Sequence, residues 1–187
     1  MRLLAVPVVF ALLLLGGIKL LGLDHAAQRA SSAHEPRDAP AAPGASRAKS
    51  DADVRNVISY WSRRIGRDVQ AVHRMGRRGD IDRFDDAARR LRADCLRARA
   101  AVAAQPATTE RGLQAKRLAA HGFLLFARAG RQLDLAVTTV YSGGAAGVLA
   151  HARHAGELIA RARHDLGTAQ ALLGPKHRPS LDNGSPA

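Results

Sequence analysis

The chain has 187 residues, 4% aromatic side chains, a single cysteine and a formal net charge of +13, with a sequence pI of about 11.4. The lone Cys95 excludes an intramolecular disulfide, and no run of five like charges forms the basic arm that grips nucleic acid. One domain is expected, with a core of aliphatic and small side chains that each bury little area at ~25 cal/mol per Å².

Leu3–Leu23 (LLAVPVVFALLLLGGIKLLGL) follows Arg2 and holds no ionisable side chain before Lys19. A helix of these 21 residues, at ~1.5 Å per residue, reaches across a hydrocarbon core of roughly 30 Å. Lys19 lies near its end and can snorkel to the interface, while Pro7 and Gly16-Gly17 are tolerated in membrane spans. Residues 1–23 are therefore expected to be a signal anchor, with a cleaved signal peptide as the alternative. Asp24 and His25 follow directly, and small-x-small cleavage candidates begin only at Ala30. The expected arrangement puts the N-terminus inside and the main domain outside the cytoplasm, single-pass or secreted after cleavage. Residues 24–50 carry Pro36, Pro40, Pro43 and Gly44 without apolar periodicity and read as a disordered linker.

From here the apolar spacing turns helical. A first helix is expected over 51–76, with Val54, Val57, Ile58, Trp61, Ile65, Val69, Val72 and Met75 in one stripe. Ser50 or Asp51 is expected to cap its start, and Gly76 and Gly79 to end it. Asp68 interrupts the stripe, so it is expected in a buried ion pair with an arginine from another helix. A second helix over 80–104 starts on Asp80 and presents Phe84, Ala87, Ala88, Leu91, Cys95, Ala98 and Val102. Its acids stand four residues before arginines, Asp85 before Arg89 and Asp86 before Arg90. Cys95 reads as a small buried hydrophobe.

A third helix over 108–141 is apolar over a wide arc, since Phe123, Leu124 and Leu135 fall outside the face that runs from Ala115 to Val140. That pattern fits either the most buried helix or one offering a second surface to a partner. The fourth, over 145–173, alternates spacings of four and three from Val148 to Leu173, a heptad of the coiled-coil type. Residues 175–187 read as a disordered tail. The fold expected for the 51–174 domain is all-α, an antiparallel four-helix bundle with Gly- or Pro-marked turns.

Chemistry is sparse. His151 and His154, at i and i+3, are the candidate metal ligands, but no His-Glu-x-x-His, no haem motif and no second cysteine accompany them. A nucleophilic set drawn from Cys95, Asp68 and the scattered His73, His121 and His164 has nothing in the sequence to assemble it. No catalytic residue and no cofactor are expected. Arginine supplies most of the positive charge, with lysine only at 19, 49, 116 and 176. Coding bias accounts for that, or else attraction to anionic surfaces such as lipid headgroups and envelope polymers.

Three function classes follow. The leading one is a non-enzymatic, membrane-tethered or exported helical bundle of a bacterial-type cell envelope, binding a protein partner or an anionic surface. The second is a cytoplasm-facing basic bundle that binds nucleic acid, opposed by the dispersed charge and few aromatics. The third is a sensory bundle working with a separate output partner.

Overall fold

The computed structural model describes residues 43–142 and 144–174. The Leu3–Leu23 segment, the linker as far as residue 42 and the tail 175–187 lie outside the described residues. Four helices follow in order, α1 (Pro43–Arg78), α2 (Ile81–Ala104), α3 (Glu110–Tyr141) and α4 (Ala145–Leu172), and among the described residues there is no strand. They form an all-α four-helix bundle. No helix among the described residues is long and apolar enough to cross a membrane.

The starts and stops follow local chemistry. Asp80 caps α2, its carboxylate accepting from the Arg83 N–H at 3.1 Å, and Thr109 caps α3 by accepting from the Gly112 N–H at 2.9 Å. Gly79 ends α1 at φ 68°, a left-handed backbone that glycine adopts without cost. Its N–H reaches the Gly76 carbonyl at 3.1 Å, and the Asp80 N–H reaches that of Met75 at 3.3 Å. The helix therefore runs through Gly76 instead of stopping there.

The start of α1 corrects the sequence expectation. It lies at Pro43 and not at Asp51, so residues 43–50 belong to the helix and not to a disordered linker. Proline suits a first helical position because its ring presets φ and the N–H it lacks has no helical acceptor there. Neither Ser50 nor Asp51 is a cap. Ser50 is buried and donates to the Pro106 carbonyl at 2.9 Å, while Asp51 accepts from the Thr109 hydroxyl at 2.7 Å.

These bonds place the third turn of α1, at Ser50 and Asp51, beside the start of α3, with α2 returning between them. His121 meets Asp165, and His151 meets Gln132, which runs α4 antiparallel to α3. Of the four helices, α3 packs closely on both α2 and α4, whereas α1 lies mainly along α2. The wide apolar arc of α3 follows from that central place, and Phe123, outside the main stripe, is 0% exposed. Two glycines bring its neighbours close. A Cβ on Gly122 would stand 3.0 Å from the Ala162 carbonyl oxygen, and one on Gly130 3.1 Å from that of Ala88. The α2 stripe expected from Phe84 to Val102 is buried throughout.

Candidate binding groove and a buried carboxylate pair

The antiparallel register of α3 and α4 sets a row of polar side chains over an apolar floor. Pairing of His121 with Asp165 and of Gln132 with His151 aligns the two helices over this whole stretch. Between them lies an open groove of about 900 Å³, floored by Leu125, Leu135 and Leu158. Arg128 and Arg131 stand on the α3 bank and Arg161 on the α4 bank, all three exposed. Gln132, His121, His154 and His164 add further polar lining. Asp165 is the one carboxylate there, and its Oδ2 lies 2.7 Å from His121 Nδ1. From His121 to Leu135 the groove extends roughly 20 Å at ~1.5 Å per residue. An anion entering it meets guanidinium forks, which match carboxylate or phosphate oxygens in pairs.

A second polar cluster is buried between α1 and α2. Asp94 is 1% exposed, and its carboxylate accepts from Arg64 Nε at 2.6 Å and from Arg97 at 3.1 Å. The Arg64 guanidinium also lies over the Trp61 ring, 5.6 Å from its centre, while Tyr60 meets that ring edge-on at 5.5 Å. Burial is the largest influence on Asp94 and opposes its charge, but the hydrogen bond and charge of Arg64, the Asp68 carboxyl and the charge of Arg97 together outweigh it and hold the carboxyl below its ordinary range.

Asp68, expected in an ion pair, forms none among the described residues. Arg64, one turn before it on the same helix, is engaged by Asp94 of α2. Asp68 instead comes within hydrogen-bonding reach of Asp94, and its Oδ2 is buried with no donor directed at it. Two carboxylates are both acceptors, so only a proton on one of them can bridge the pair. Burial, followed by the negative charge of Asp94, pushes Asp68 up to about 6, which makes it the member that holds the proton.

The remaining candidates separate. His151 Nδ1 faces Gln132 Oε1 at 2.8 Å, whereas His154 Nδ1 faces Glu157 at 3.7 Å and borders the groove, so the two rings do not converge. Among the described residues no three His, Cys, Asp or Glu side chains gather as a metal site. Cys95 is fully buried, and burial together with the charges of Asp68 and Asp94 pushes its thiol up, away from the nucleophilic thiolate. Asp85 pairs with Arg89 at 2.7 Å, and Arg89 reaches across to Asp134 at 3.4 Å.

Sequence reasoning passed over Asp94 and the groove arginines. Asp94 could have been found, since it falls three residues after Leu91 and four before Ala98, inside the α2 stripe. The groove could not, because it depends on how α3 and α4 are aligned. No protein-family model matches the chain, and neither curated proteins nor solved structures supply a match.

Proposed function

We propose that the chain is a non-enzymatic binding protein of the cell envelope, tethered by Leu3–Leu23 or exported by it, whose bundle binds an anionic partner. The observation that carries the reading is the α3–α4 groove, with three exposed guanidinium groups against one carboxylate that His121 already engages. Exposed arginines around an apolar floor attract and orient an anion, and the lining carries no serine, threonine or cysteine. A nucleic-acid role is less well supported, because no phenylalanine, tyrosine or tryptophan lines the groove to stack a base.

The test is a compartment assay. A reporter active on only one side of the membrane is fused to the C-terminus, and the mass of the mature protein is measured. Activity outside the cytoplasm is the expected outcome, and the mass then separates an intact anchor from a cleaved signal. Activity confined to the cytoplasm overturns the reading.

A further inference from the structure

We infer that the α3–α4 groove docks an acidic amphipathic helix of a partner protein, an inference that rests on the binding reading above and names its ligand class. Two antiparallel helices leave between their ridges a trough that a third helix fills, and this trough has the length of about four helical turns. Its floor is apolar, supplied by Leu125, Leu135 and Leu158, so the occupant must present apolar side chains along one stripe.

Charge decides what flanks that stripe. Arg128 and Arg131 stand on one bank and Arg161 on the other, so acidic side chains are called for on both sides of the apolar seam. Residues three or four apart on a helix are neighbours on one face, with Cβ atoms about 5–6 Å apart, so acids at that spacing match Arg128 and Arg131, which stand three apart. A single lipid headgroup would engage one point of this row and leave the rest unanswered. A polyanion without apolar groups would answer the arginines but leave the accessible apolar floor, Leu135 above all, uncovered. The one carboxylate of the lining, Asp165, faces His121 at 2.7 Å and is outnumbered by the three guanidinium groups.

The experiment uses the full chain in zwitterionic detergent and a fluorescent synthetic peptide of about 18 residues, with leucines spaced i, i+3, i+4, i+7 and glutamates on either side. Fluorescence anisotropy reads the affinity and circular dichroism the gain in helix. The peptide is expected to bind at least about tenfold more tightly than a scramble of identical composition. The triple reversal Arg128→Glu, Arg131→Glu, Arg161→Glu is expected to weaken it by about tenfold or more, while reversing the exposed Arg74, Arg99 and Arg111 changes it by less than about threefold. If the groove triple variant does not fold, single Arg161→Ala and the scramble comparison decide. Equal binding of peptide and scramble, or equal loss from either set of reversals, overturns the inference by reducing it to unspecific attraction. Groove-dependent binding of dihexanoylphosphatidylglycerol or polyphosphate, with no binding of the peptide, also overturns it. In that case the anion-binding reading stands, whereas its own failure is read in the compartment assay.

Discussion

At the scale of single residues, Asp68 and Asp94 show how one arginine decides the fate of two acids. Arg64 directs its Nε to Asp94, the more buried of the two carboxylates, at 2.6 Å. Asp68 is left to hold a proton only below about pH 6. The consequences for stability have opposite signs. A carboxyl raised on folding contributes most below its ordinary range, and that contribution is lost as the pH rises through about 6. A carboxyl lowered on folding, as Asp94 is, contributes above its ordinary range and loses that contribution in acid. Asp68→Asn, which supplies an uncharged donor to Asp94, is therefore expected to stabilise the fold at about pH 8 by ~1–2 kcal/mol, discounted for the part of the group that water reaches. At about pH 4 the same substitution should change little. Urea denaturation across this range measures both limbs, and an equal effect at both ends would show that Asp68 is ionised throughout.

For whole elements, packing overrides helix propensity at some positions and leaves it free at others. Gly156 and Gly167 on α4 have open space where a Cβ would stand, so alanine there should add about 0.5–1 kcal/mol of stability. Gly122 and Gly130 offer the same gain in propensity, yet a methyl at either would press on a backbone carbonyl of the neighbouring helix. Backbone does not move aside cheaply, so Gly122→Ala and Gly130→Ala should destabilise by about 1–3 kcal/mol. Thermal melts of the four variants provide the comparison, and a uniform rise in midpoint would mean that α3 sits further from its neighbours than the structure places it. The two kinds of glycine look alike in the sequence. Both interrupt helical patterns, and only the approach of another helix distinguishes them.

Over the molecule as a whole, the bundle is unevenly knit. α3 is held on two sides, while α1 depends mainly on α2 and touches α4 through peripheral bonds such as Arg55 to the Leu173 carbonyl at 3.4 Å. An element with fewer partners opens at lower free energy. Hydrogen exchange is therefore expected to release the amides of α1 before those around Phe123 in α3, and simultaneous release would show that the four helices open as one unit.

Much of this architecture was legible beforehand because helices announce themselves locally. A 3.6-residue period, Asp80 as a cap and Gly79 at a turn are properties of neighbours in the chain, and they located the helices to within a few residues at most ends. The start of α1 was missed because 43–50 holds no large apolar side chain to carry the period, and only Pro43 marked the site. The sequence by itself determined the four amphipathic rods, the buried Cys95 and the excess of arginine. Tertiary structure alone decided which carboxylate Arg64 serves, which glycines are crowded and which arginines face one another across a groove. The reason is physical: period and capping act over a few residues, whereas ion pairing, close approach and grooves depend on distances between helices that the chain order does not contain.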